Sequence, residues 1–348
     1  MLEVSRYNEW LTWRLPMFLT AGLVVIKSSG TALTWHIFFQ FSFIFISLVF
    51  GAVFVSVLND FTDIEDDRNA GKPNRLQSLS LISRFLLLGI SIMIVSYFAF
   101  IFVERTVPRF MYLAACISFI VYSAPPFRIK KKGAWGGVAD ALGASFFPIL
   151  FVATQMADNL DYGIPIWQLV AMGIWSLAHG VRGILWHQYR DREFDLSIGS
   201  KTFATMNSKK MMHALEPILI IVDMTAFMLM LDHDILPVML LLLSAHLMIA
   251  LITERLLDVR HVMILSKAGQ EEFMLFGTFY QTFCPIALIF FISGWSNISL
   301  FFVFLLVTLV FPDIRNNYYL LKKILYAIPV IRKQLRKRDQ KLHEKKII

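Results

Sequence analysis

The sequence has little cysteine, and little charge within its apolar stretches. Cys116 and Cys284 are its two cysteines in 348 residues. Both lie inside apolar runs, which argues against a disulfide framework and leaves no thiolate metal site. Each reads as a small buried hydrophobe. Charged residues make up 17% of the chain, against 57% hydrophobic, and mean hydropathy is +0.62. A water-soluble fold could not hide that much apolar surface without exposing large patches, so lipid is the expected solvent. No cleavable signal is evident, because no small-residue cleavage site follows the apolar run at 15–26; that run reads as the first span. The net charge of +8 does not point to nucleic acid. The basic residues lie between apolar runs or in the tail, where membrane topology accounts for them.

A spanning helix needs roughly 20 apolar residues. The pattern predicts spans at about 12–27, 35–58, 83–103, 109–126, 135–156, 164–187, 211–231, 235–253 and 273–293, with a shorter tenth run at about 298–311. With the N-terminus inside, only Lys27, Arg105 and Arg109 of the 33 Lys and Arg fall on the outer side; Arg182 counts with the inner cations. Asp158, Asp161, Asp232 and Asp234 populate the outer loops. This is a strong positive-inside pattern. From Arg315 to Lys346 the tail carries eleven basic residues. Ten crossings keep it inside, so the short run is expected to cross; an interfacial run is the alternative. Leu320, Leu321, Ile324 and Leu325 among lysines predict a surface-bound amphipathic tail, interrupted by Pro329. With no targeting segment evident, the expected location is a bacterial-type inner membrane, as a multi-pass protein.

Three polar constellations stand out. Asn59-Asp60-Phe61-Thr62-Asp63-Ile64-Glu65-Asp66-Asp67 follows the second span. On a helix continuing that span, Asn59, Asp63 and Asp67 share a face and Asp60 flanks it. Carboxylates about 5 Å apart at an effective dielectric near 20 repel by about 3 kcal/mol per pair, so a cation belongs among them. Hard oxygen ligands in this number suit Mg²⁺. His187, Asp191 and Asp195 repeat the spacing at the end of the sixth span, ahead of Gly199-Ser200-Lys201-Thr202. Tyr122-Ser123-Ala124-Pro125-Pro126-Phe127-Arg128-Ile129-Lys130 joins the fourth and fifth spans. Its prolines predict an extended turn on which Arg128 and Lys130 point the same way. Arg suits bidentate phosphate recognition and Lys a point-charge contact. Taken singly, these segments read as a solvated acidic cap, an exposed helix end and a plain basic loop. They follow spans two, four and six, however, so all three face the cytoplasmic side. Together they compose a metal–diphosphate cradle.

In order and spacing these segments resemble the UbiA superfamily of intramembrane prenyltransferases. Its N-D-x-x-D-x-x-x-D pattern is matched by Asn59, Asp60, Asp63 and Asp67. Its D-x-x-x-D pattern is matched by Asp191 and Asp195, with Gly199, Lys201 and Thr202 following. The Y-S-x-P-P-x-R-x-K stretch runs from Tyr122 to Lys130. The likeness covers about residues 10–293. It implies an all-α bundle of nine helices around a central cavity open to lipid, with a polyprenyl diphosphate donor bound through Mg²⁺ and a lipophilic acceptor, aromatic or a quinone precursor. Asn59, Asp60, Asp63, Asp67, Asp191 and Asp195 would serve the metals. Arg128 and Lys130 would contact the diphosphate with Tyr122 near it, and Arg14 matches a further family position. Lys201 and Tyr189 join the substrate set. His187 would take a proton or orient the acceptor. Trp186, Tyr189 and Phe127 are candidate faces for an allylic cation. The expected organisation is a prenyltransferase domain at 1–296, an added span at 297–312 and a basic tail at 313–348.

The sequence departs from the family in its tenth span and in His187-Gln188, where some quinone-branch members carry asparagines. The second motif is closer to the naphthoate-prenylating branch than to the 4-hydroxybenzoate branch, while the first is fuller than that naphthoate branch shows. The acceptor therefore stays open. Cyclisation of the prenyl chain would use the same cradle. A transporter would instead need ionisable groups near the bilayer centre, and the mid-span charge is sparse. Intact motifs disfavour a non-catalytic scaffold.

Overall fold

The computed structural model describes residues 7–102, 105–197, 199–257, 260–262, 264, 272–277 and 279–310. The tail at 313–348 lies outside them. Helix α1 is Tyr7–Ser28, α2 Trp35–Asn69, α3 Leu81–Ile101, α4 Thr106–Ser123 and α5 Ala134–Asn159. Then follow α6 Ile166–Arg190, the short α7 Arg192–Ser197 and α8 Phe203–Met206, α9 Lys209–Leu229 and α10 Leu236–Leu257. The last two are α11 Phe279–Ser293 and α12 Asn297–Val310. Each of the ten predicted runs contains a helix, but the ninth, 273–293, opens with strand and turn residues and is helical from Phe279. Among the described residues, seven helices are long and apolar enough to cross a membrane, and α11 and α12 are shorter apolar helices. The protein is an integral membrane protein. Besides helices, the described residues include one small parallel pair, Arg260–Val262 with Glu272–Met274.

The length of α2 positions the site. Its 35 residues span about 52 Å, against a hydrocarbon core of about 30 Å. The surplus turns project the Asn59–Asp67 face beyond the apolar part. The side chain of Thr34 caps the first turn by accepting from the Ile37 amide. At the other end, Gly71 has φ +65, which turns the chain back so that Lys72 and Asn74 return to the acidic segment.

The ends of the bundle sort by charge as expected. Away from the motifs, Lys27 pairs with Asp234 at 2.8 Å, Arg105 lies 3.8 Å from Asp158, and Ser28 donates to Asp232 at 3.0 Å. At that end α12 meets α2, Phe301 lying 5.1 Å from Trp35 and Phe302 5.7 Å from Phe38. Thus α12 starts at the far end and runs back toward the motifs. Its 14 residues reach about 21 Å, short of a full crossing without tilt or thinning.

Small residues let the central helices approach closely. A Cβ on Gly180 of α6 would stand 3.0 Å from Ala141 Cβ and 2.9 Å from Ser145 Oγ of α5. Phe41, Ile44, Phe151, Trp175, Phe227 and Tyr280 fill the core. Phe39, Ile82, Met93, Phe100 and Leu241 face outward, as a lipid-facing surface requires.

One expectation needs correction. Arg182 does not lie with the loop cations. It is fully buried within α6 and pairs with the equally buried Asp223 of α9 at 2.8 Å. The interior is therefore less charge-poor than the sequence suggests.

Candidate active site

The three polar segments meet at one end of the bundle. Lys130 donates from Nζ to Asp63 Oδ2 at 2.6 Å and to Asn59 Oδ1 at 3.1 Å. Arg128 Nη2 donates to Asp63 Oδ1 at 2.8 Å, to Asp66 at 2.6 Å and to the Thr62 carbonyl at 2.9 Å. Ser123 donates to Asn59 Oδ1 at 3.0 Å, and Lys131 donates to Asp66. The side chains of Asp63 and Lys130 are only 16% and 13% exposed, so this charge cluster is poorly screened. Burial pushes the Lys130 ammonium below the usual lysine range, and Asp63 opposes that shift.

The basic turn does point Arg128 and Lys130 the same way, but it is tight rather than extended. The Arg128 amide donates to the Ala124 carbonyl at 2.9 Å. Arg128 itself has φ +39, in the left-handed region that costs a side-chain-bearing residue energy. A single 3₁₀ turn, Ile129–Lys131, follows. Its ion pairs with Asp63 and Asp66 hold Arg128 in that conformation.

The second acidic segment adjoins the first. Hydrogen bonds from the Asp191 amide to the His187 carbonyl and from the Asp195 amide to the Asp191 carbonyl carry the i, i+4, i+8 face across the junction of α6 and α7. Lys72, from the loop after α2, lies 4.2 Å above the Phe194 ring. Burial raises the Asp195 carboxyl above the ordinary range; Lys72 opposes this and Asp191 adds to it. The Gly133 amide donates to the Lys201 carbonyl at 3.0 Å, which ties the basic turn to the Gly199–Thr202 stretch. The Lys201 side chain is exposed.

Beneath this end lies a cavity of about 700 Å³. It is lined by Ser56, one turn below Asn59, by Phe119, one turn below Ser123, and by Trp186, His187 and Arg190 from the last turn of α6. Deeper lie Arg14, Asp140 and His179, and then Phe18, Leu48, Tyr112 and Phe151. Arg14 donates to Ser145 on α5. Tyr122 is half-buried, with its ring centroid 6.1 Å from that of Phe119.

Some predicted residues are placed differently. Asp60 is fully buried, with Arg75 3.8 Å from its carboxylate, because a position one residue from Asn59 turns by about 100° into the bundle. Its side chain is thus set apart from the Asn59–Asp63 face. Tyr189 does not line the cavity; it packs beside Leu185 and Met212. Phe127 is exposed outside the cavity. Three residues escaped the sequence reading. Asp66 anchors Arg128. Asn74 donates to Asp67 Oδ2 at 2.8 Å and to the Asp60 carbonyl at 2.8 Å. Asp140 lines the cavity. Asp66 lay in plain sight within the acidic run; a single acid in an apolar span, such as Asp140, has no spacing to mark it.

Among the described residues, no group of three or more His, Cys, Asp or Glu side chains is arranged to hold a metal by itself. The donors nevertheless fit a hard divalent cation whose shell is completed by phosphate oxygens and water. They are oxygens, and Asn59 and Asp63 already converge on a cation, the Lys130 ammonium.

A largely apolar cavity that carries a belt of polar side chains, beside a carboxylate–guanidinium–ammonium cluster, defines a class of site suited to a lipid carrying a polyanionic head. The sequence profile of the UbiA prenyltransferase family matches residues 15–264, and the chain belongs to that family. Among solved structures, it is similar to a UbiA homolog from Archaeoglobus fulgidus bound to GPP and Mg²⁺, at 19% identity and a TM-score of 0.56, covering 89% of this chain and 98% of that one. The same homolog bound to DMAPP and Mg²⁺ aligns with a TM-score of 0.55 at 19% identity and the same coverage. A Cd²⁺-bound form aligns at 18% identity with a TM-score of 0.55, over 82% of this chain and 96% of that one. No curated protein sequence matches the chain significantly.

Proposed function

We propose that the protein transfers a prenyl group from a polyprenyl diphosphate to a lipophilic aromatic or quinone-precursor acceptor within the membrane, in a Mg²⁺-dependent reaction. The observation that carries this reading is the convergence of Lys130 and Arg128 on Asp63 and Asn59, one helical turn from Ser56 on the wall of a largely apolar cavity. Support also comes from the family match and from the similar fold that binds GPP and Mg²⁺. The positive-inside pattern of the sequence supports a cradle that faces the cytoplasm.

Asn59, Asp63, Asp67, Asp191 and Asp195 would hold the metal. Bound Mg²⁺ would neutralise charge on the departing diphosphate. Lys130 and Arg128 exchange their carboxylate partners for diphosphate oxygens and donate to them as the allylic C–O bond breaks. The apolar walls exclude water, which would otherwise capture the allylic cation. Trp186 and Phe119 present aromatic faces to it. The acceptor's nucleophilic carbon then closes the new C–C bond, and the proton it loses would pass to His187 on the cavity wall.

The test is incubation in detergent with labelled geranyl diphosphate and a panel of phenolic and naphthoate acceptors, with Mg²⁺ or with EDTA. A prenylated acceptor formed only with Mg²⁺ is the expected result. A cyclic hydrocarbon from donor alone would assign the same cradle to cyclisation.

A further inference from the structure

Behind the cavity wall sits a buried polar group that the cradle does not use. Arg182 and Asp223 are fully buried and paired at 2.8 Å. Tyr280 donates to Asp223 Oδ1 at 2.9 Å, and Arg182 Nη2 lies 2.9 Å from His179 Nδ1. His179 lines the cavity. It is eleven residues from the end of α6, about 16 Å along the axis. Charge so deep in a membrane protein is expensive and calls for a use.

His179 Nδ1 faces two groups, Arg182 Nη2 at 2.9 Å and Asp223 Oδ2 at 3.7 Å, and of these the guanidinium is the one at hydrogen-bond distance. A guanidinium only donates hydrogen bonds, so His179 Nδ1 accepts and carries no proton. In the neutral ring the proton sits on Nε2, the nitrogen left for a cavity ligand. The arrangement is a donor held in place from behind: Asp223 positions Arg182, and Arg182 selects the tautomer. Nearby the wall offers Arg14, a second donor, and Asp140. Below this belt the lining turns apolar, with Phe18, Leu48 and Phe151.

We infer that His179 is an acceptor-binding residue: its Nε2–H donates to an oxygen on the aromatic head of the acceptor, which orients the ring beneath the donor's diphosphate. Arg182 is a positioning residue. This inference rests on the prenyl-transfer reading of the same cavity, and its test separates the two.

Full-length protein in detergent is titrated with 1-naphthol and with 1-methylnaphthalene, of similar shape but without the oxygen, each corrected for micelle partitioning. Wild type should bind 1-naphthol at least about fivefold more tightly, as one well-placed hydrogen bond supplies. His179→Phe should weaken 1-naphthol by that factor and leave 1-methylnaphthalene unchanged, and His179→Gln, which retains an N–H, should recover most of the loss. Equal affinities of the two probes for wild type overturn the inference even if His179→Phe does not fold. A His179→Phe protein that still prefers 1-naphthol overturns it too and hands the role to Arg14. Geranyl diphosphate with Mg²⁺, titrated in parallel, tests the donor reading. Absence of donor binding sinks that reading, whereas normal donor binding without naphthol preference sinks only this inference.

Discussion

Lys130→Met should move two affinities in opposite directions. In the ligand-free protein the Lys130 ammonium occupies Asn59 Oδ1 and Asp63, at 3.1 and 2.6 Å. A metal arriving alone must displace it. A charge-assisted hydrogen bond contributes about 1.5–3 kcal/mol, so the competition is worth roughly 10- to 100-fold in affinity. Arg128 keeps its own bond to Asp63 at 2.8 Å and continues to compete, which favours the lower figure. Mg²⁺ alone should therefore bind Lys130→Met about tenfold more tightly than wild type. The donor diphosphate loses a cationic partner in the same variant. Geranyl diphosphate with saturating Mg²⁺ should bind roughly 10- to 100-fold more weakly. Isothermal titration of both ligands into detergent-solubilised protein reads the two shifts. Metal binding that is unchanged or weakened in Lys130→Met would refute the idea that Lys130 holds the metal's place.

Other consequences are simpler. Asp63→Ala and Asp191→Ala should each abolish turnover while membrane insertion and monodispersity persist; wild-type rates in either would remove the cradle. Arg182→Leu leaves Asp223 buried without its cation and should cost about 3–5 kcal/mol, seen as a large fall in melting temperature, and the double variant Arg182→Leu/Asp223→Leu should regain much of it. Gly143→Ala puts a Cβ 2.7 Å from the Phe119 ring. Gly143 and Phe119 both line the cavity, so the added methyl and the ring's displacement, at about 1–3 kcal/mol, reshape its wall, and long-chain donors should lose more activity than geranyl diphosphate. Removing the chain after residue 313 should leave turnover intact in detergent; an inactive but folded truncation would give the tail a role in the chemistry.

The helices were legible in the sequence because lipid demands long apolar runs and pushes charge to helix ends. Asn59, Asp63 and Asp67 were legible for the same reason: beyond the hydrocarbon the helix continues, and helical spacing gathers them on one face. The union of that face with Arg128 and Lys130 followed from the order of spans. Three things were hidden. The left-handed conformation of Arg128 carries no glycine or asparagine to announce it; the carboxylates across the turn impose it. Asp60 turns into the bundle one position off the Asn59 face, and its nearby cation, Arg75 at 3.8 Å, is brought back by a loop. The Arg182–Asp223–His179 group joins residues about 40 positions apart on two helices, and a solitary charge in an apolar run does not name its partner.

The most direct test of the central claim is binding of geranyl diphosphate to the purified protein with and without Mg²⁺, in wild type, Asp63→Ala and Asp191→Ala. The account predicts one donor site in wild type that needs Mg²⁺ and is lost in both variants. Binding that persists in EDTA, or survives either substitution at wild-type affinity, would contradict it.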